Sequence, residues 1–169
     1  MQLKNINKTR YRRHLNYVIA AFVISFALLA LLFGQLLITL FSEPRADNFI
    51  FNATGVGLAL VLVLSLINLC KQHPFMYEVY YVWRLKQQIN QIYRQLKHVK
   101  HAAFAEHNRD ALVCLCFYYQ ACHQLYQLDD NTITLSSLNK EEQHLLDFIV
   151  RHHLTVDVTD FKPQLVNFR

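Results

Sequence analysis

The runs HLNYVIAAFVISFALLALLFGQLLITLFS, residues 14–42, and NFIFNATGVGLALVLVLSLINLC, residues 48–70, contain no Asp, Glu, Lys or Arg. They are 29 and 23 residues long. As helices rising about 1.5 Å per residue, each is long enough to cross a hydrocarbon core of roughly 30 Å. They predict transmembrane helices over 15–41 and 49–70, joined by an external loop at 42–48. Outside them lie a basic N-terminus, 1–14, and one helical domain, 71–169. The two runs also explain the composition: 53% of the 169 residues are hydrophobic and 17% are charged, against about 25% charged in ordinary soluble domains. A secreted disulfide scaffold, a soluble enzyme domain and a disordered tail are excluded, and the roughly 100 residues left over suffice for one small domain.

Charge sets the orientation. Residues 1–14 carry Lys4, Lys8, Arg10, Arg12 and Arg13 and no acid, a net of +5. The loop holds Glu43, Arg45 and Asp47, a net of −1, whereas residues 71–109 again sum to +5 and 110–169 to −4. Lys and Arg beside a span are retained on the cytoplasmic side, so both termini are expected inside and the loop outside. The same five N-terminal cations are candidates for gripping an anionic membrane surface. No motif of a nucleic-acid reader accompanies them, so no nucleic-acid partner is expected.

The first span is too long for a signal sequence and ends in Ser42, Glu43 and Pro44 without a small-x-small site, which predicts an uncleaved anchor. Aromatic side chains mark the interfaces: Tyr11 and Tyr17 at the inner edge, Phe41, Phe49 and Phe51 at the outer edge, and Tyr77, Tyr80, Tyr81 and Trp83 where the chain returns. Among the few polar residues within the spans, Gln35 and Asn52 are the candidates for an interhelical hydrogen bond. Ala30 and Gly34 lie one turn apart on the first span, as do Ala53 and Gly57 on the second, so these two pairs are expected to let the helices meet closely within the hairpin, the alternative being a dimer contact through the same face.

Beyond the spans, Pro74 suits a first helical turn. Val82, Leu85, Ile89, Ile92, Leu96, Val99 and Ala103 follow at alternating spacings of three and four, predicting a helix over 74–105 with one apolar stripe. A second helix starting near Asn108 repeats the pattern at Leu112, Leu115, Tyr119, Cys122 and Tyr126. The short connection implies an antiparallel, coiled-coil-like pair. Asp129 to Thr132 forms a turn, and a shorter third helix runs from Leu138 to His153, capped by Asn139 with Glu142 or by Ser136 or Ser137. The tail from Leu154 is extended or irregular and packs through Phe161, Leu165 and Phe168. The fold class expected is all-α: a two-helix transmembrane hairpin followed by a cytoplasmic helical hairpin and a third helix.

Residue chemistry points to no reaction. Cys114 and Cys116 are two apart on a helix and diverge by about 200°, so they share neither a metal nor a disulfide, and buried thiols behave as small hydrophobes. His98 and His101, His107, His152 and His153 lack a completing carboxylate or thiol and are read as solvated. A calcium loop from Asp130 fails because Leu135 stands where Gly is required. All three glycines lie in the spans, which removes any Gly-rich phosphate loop from the rest of the chain. No catalytic residue, cofactor or metal site is assigned.

Several stretches carry a resemblance: Ile6, Asn7, Lys8, Arg10, Tyr11, Arg12, His14, Leu15 and Asn16; His73, Pro74, Glu78 to Trp83, Leu85 and Lys86; Phe117 to Gln120; and Leu128 to Thr132. On them the chain resembles, over nearly its whole length, an uncharacterised family of small two-span bacterial inner-membrane proteins. The resemblance implies that membrane and no activity. The expected role is a membrane-anchored helical interaction or scaffold protein. Its partners would be lipid and a protein or a second copy, with Tyr77, Tyr80, Tyr81 and Trp83 as interface candidates. A pH- or ligand-sensing module and an enzyme with an unrecognised site are the alternatives.

Overall fold

A computed structural model describes residues 2–42 and 47–166. Most of the external loop expected at 42–48 therefore lies outside the described residues, as do the tail's Phe168 and Arg169. Among the described residues the structure is all-helical, with α1 Lys8–Phe41, α2 Phe49–Cys70, α3 Tyr77–Arg94, α4 Leu96–Phe104, α5 Arg109–Asp129 and α6 Leu135–Arg151. Three short 3-10 turns, at Pro74–Met76, Val158–Asp160 and Pro163–Val166, complete it. The chain divides into two compact units, one of Thr9–Tyr80 and one joining the segment up to Lys8 to Tyr81–Arg169.

In the first unit α1 and α2 are each long and apolar enough to cross a membrane. α2 keeps the bounds expected from the charge-free run, while α1 starts seven residues earlier than the expected 15. Lys8, Arg10, Arg12 and Arg13 are good helix formers, and charge restricts a residue's depth in a bilayer, not its helicity. The close approach of the two helices is at Gly34 and Gly55. A Cβ on Gly55 would stand 2.5 Å from the Gly34 nitrogen, whereas one on Gly57 would meet nothing within 4 Å. Gly34 is buried as expected and Ala30 is partly buried, but Ala53 and Gly57 are exposed, and the buried positions of α2 are Gly55, Ala59 and Val63. Residues two apart point about 200° away from each other, so the contact face lies opposite the expected one. Asn52 lies over Gly34 by its side-chain oxygen. Ser42 Oγ donates to Asn48 Oδ1 at 2.6 Å, tying the end of α1 to the start of α2.

The second unit is built around α5. Leu112, Val113, Leu115, Phe117 and Cys122 are fully buried, and α4, α6 and both tail turns pack on it. Asn108 Oδ1 caps α5 by accepting from the Asp110 and Ala111 amides. Asp130 closes it in a left-handed conformation (φ 55°), which a short Asp side chain tolerates. The stripe expected on 74–105 is present, with Val82, Leu85, Ile92, Val99 and Ala103 all buried. The helix is nevertheless divided: Gln95 N–H donates to Ile92 O at 3.0 Å, a tightened turn between α3 and α4. α6 begins three residues before Leu138, with Thr134 at its N-cap and no side-chain cap, so neither expected capping group serves there. Instead Ser137 Oγ donates back to Thr134 O at 2.9 Å. The tail is more ordered than expected. Phe161 stacks on Phe117 with centroids 3.8 Å apart, and Val166 is fully buried.

Candidate functional site

The N-terminal end of α1 and the turn that follows α2 belong to the same unit and build the best-defined polar site. Arg10 and His14 are one helical turn apart and project from one face of α1. Arg10 Nε lies 2.9 Å from Glu78 Oε1, and His14 Nδ1 lies 3.2 Å from Glu78 Oε2. Glu78 is 5% exposed and is the buried charged residue of the described chain. An unpaired carboxylate at that depth would be costly. Both of its oxygens are engaged, and its place in the first turn of α3 adds the favourable end of the helix dipole. The turn before it is fixed by its own residues: Pro74 sets the first 3-10 position, and His73 Nδ1 accepts the Phe75 N–H at 3.2 Å. Phe75 is thereby laid on the His14 ring, with centroids 4.2 Å apart, and near Tyr17 at 6.4 Å.

Beside this ion cluster is a pocket of about 610 Å³ lined by Arg10, Lys71, Gln72, His73, Tyr77 and Tyr80, with Glu78 at its inner wall. The Arg10 side chain stays 58% exposed there. Because Nδ1 of His73 is an acceptor, the proton of the neutral ring sits on Nε2, which leaves that atom a donor. The pocket thus presents a guanidinium, an ammonium, an imidazole N–H and an amide, a set suited to an anion. An apolar groove of about 250 Å³ runs along Val18, Phe22, Val63, Ile67, Cys70 and Met76 in the same unit.

The five N-terminal cations divide between the two units. The Lys4 backbone N–H donates to Tyr81 Oη at 2.8 Å and its carbonyl accepts from Gln124, and Lys8 pairs with Asp130, so both belong to the helical unit. Arg10, Arg12 and Arg13 belong to the unit of α1 and α2, with Arg12 and Arg13 exposed. Of the aromatic candidates, Tyr77 and Trp83 are exposed and Tyr80 is partly buried. Tyr81, however, is an interior residue at 7% exposure, its hydroxyl donating to Gln124 Oε1 at 3.0 Å. Tyr11 is likewise buried and does not face an interface. Sequence reasoning misses the roles of Glu78 and His14. Their signal is present as the lone acid in the uncharged aromatic stretch 72–83 and a basic run short of acids.

The protein belongs to the family of proteins of unknown function DUF3087. That family's model matches residues 1–166. No curated protein and no solved structure matches the chain. In this DUF3087 chain the cysteines of α5 serve packing. Burial pushes the Cys114 thiol up to about 12 and those of Cys116 and Cys122 up to about 11, so they are protonated and poorly nucleophilic at neutral pH. Among the described residues no three His, Cys, Asp or Glu side chains gather as a metal site requires. His107 and His152 are not simply solvated, since they join an aromatic cluster with Phe148, at 4.7 Å from each other. A shallow hollow of the DUF3087 chain, lined by Lys4, Gln120, His123, Gln124, Gln127 and Glu142, is rich in amides. There His123 Nε2 is buried 2.8 Å from Glu142 Oε2, an ion-pair distance, without the angles of a hydrogen bond.

Proposed function

We propose that the chain is a membrane-anchored helical interaction module of the bacterial inner membrane. In this reading α1 and α2 insert as a transmembrane hairpin, both termini stay in the cytoplasm, and the helical domain beyond residue 71 holds a protein partner or a second copy. The charge-free runs and the basic flanks support the anchor. Leu28, Leu31, Leu40, Phe49, Val61 and Leu69 are exposed around both helices, where lipid would cover them. The domain has a core of its own around α5, so it can present a surface without help from the spans.

The observation that carries the interaction reading is Trp83. It is 53% exposed on α3, whose opposite face is the buried stripe of Val82, Leu85 and Ile92, and Tyr93 is exposed further along the same helix. Exposed Trp and Tyr beside Arg84 and Arg94 is the composition of an interface centre, because such side chains bury large areas at low entropic cost. A photo-crosslinking amino acid at position 83 or 93 is therefore expected to give a discrete protein adduct in cells, while the same group at Gln143, exposed on α6, gives none. Absence of a protein adduct at both aromatic positions would refute the interaction reading and leave the anchor intact.

A further inference from the structure

We propose that the polar pocket at the foot of α1 and the apolar groove beside it form one binding site for a single anionic phospholipid. The phosphate would be held by Arg10, Lys71 and His73, and an acyl chain would lie along Val18, Phe22 and Ile67. This rests on the membrane-anchored reading and adds to it a defined ligand.

The two cavities meet along the chain at two places: Cys70 lines the groove and Lys71 the pocket, and Met76 lines the groove and Tyr77 the pocket. One is polar and the other apolar in the order a bilayer demands. α2 is 22 residues long and so spans about 33 Å, which leaves Lys71, the next residue, at headgroup level and Val63 and Ile67 at acyl depth. Tyr17 and Tyr77, both exposed, flank the transition where amphipathic rings settle.

Charge selects the class of lipid. Arg10 and Lys71 bring two positive charges, and the one acid, Glu78, has both oxygens engaged by Arg10 and His14, so the pocket's balance is positive. A phosphodiester fits this, whereas the ammonium of a zwitterionic headgroup would meet Arg10 and Lys71. Glu78 acts as a positioning residue: by taking the Nε edge of Arg10 it holds the guanidinium at the rim, preformed for a tetrahedral anion.

The full chain in detergent micelles mixed with phosphatidylglycerol and phosphatidylcholine, read by native mass spectrometry, tests this. One retained phosphatidylglycerol per chain is expected. Lys71→Gln is expected to lower its retention about fivefold. Lys97→Gln, which removes the same charge from an exposed position outside the pocket, should leave it unchanged. Val18→Trp, which fills the groove without changing charge, should also lower retention. Equal losses in Lys71→Gln and Lys97→Gln would show diffuse surface attraction and overturn the proposal. Displacement of the lipid by millimolar glycerol 3-phosphate alone would overturn it in favour of a free phosphate site. Extraction of the chain from membranes by alkaline carbonate would refute the anchor instead, so the two failures are distinguishable.

Discussion

Replacing Gly55 by Val is expected to destabilise the pairing of α1 and α2 by roughly 1–3 kcal/mol, whereas the same change at Gly57, two residues on, should cost less than about 0.5 kcal/mol. The first added carbon on Gly55 would stand 2.5 Å from the Gly34 nitrogen, 2.8 Å from its Cα and 3.0 Å from the Phe33 carbonyl carbon. All three are backbone atoms, so relief requires the helices to separate and to forfeit the packing that replaces a hydrophobic driving force inside lipid. Gly34 is intermediate. A Cβ there meets the Asn52 side-chain oxygen at 2.8 Å, and a side chain can turn away. Unfolding of the three variants by titration with sodium dodecyl sulfate in mixed micelles should therefore rank them Gly55, Gly34, Gly57 in decreasing cost. An equal loss at Gly57 would contradict a contact face that runs through Gly55.

Phe117→Ala is expected to cost the helical unit about 3–5 kcal/mol, the usual range for emptying a fully buried aromatic site. The ring has no exposed surface and lies nearly parallel to Phe161, at an interplanar angle of 7°. Removing it opens a cavity on α5 where the tail docks. For a unit of this size the loss should lower the melting temperature followed by circular dichroism by at least about 12 °C. Phe161→Ala should cost less, because Phe161 ends a short turn that can move, and the double variant should cost less than the two singles added, since they share one contact. A melting temperature within a few degrees of the parent would show that the tail does not complete the core.

These two sites also mark where the sequence was informative and where it was not. Charge gaps mark helices apolar enough to span because burying a charge in hydrocarbon is costly, and α2 runs from Phe49 to Cys70 as the charges alone imply. They say nothing about rotation. A helix apolar on every side has no preferred face by composition, so the four-residue spacing of Ala53 and Gly57 does not locate the contact, which runs through Gly55. The spacing of Val82, Leu85, Ile92 and Val99 was legible because a water-facing helix must separate its apolar stripe from its charges. Asn108 was legible as a cap because the capping bond is local. Phe161 on Phe117 is a contact over 44 positions, and Arg10 on Glu78 one over 68, and no local pattern sets either. The break at Gln95 carries neither Pro nor Gly to announce it. At the candidate site, the basic run marks Arg10 only as one of five expected surface cations, while Lys71, His73 and Glu78 acquire meaning only when the chain returns from α2 to the foot of α1 and Glu78 pairs with Arg10.

Whether the chain is a two-span anchor with both ends inside is tested most directly by labelling intact cells with a membrane-impermeant thiol reagent, after Cys70, Cys114, Cys116 and Cys122 have been replaced by Ala or Ser. Single cysteines at exposed Asp47 and exposed Arg151 then report the loop and the helical unit. A both-ends-inside topology predicts labelling of Asp47→Cys in intact cells, and labelling of Arg151→Cys only after the membrane is permeabilised. Labelling of Arg151→Cys from outside, or protection of Asp47→Cys until permeabilisation, would contradict it.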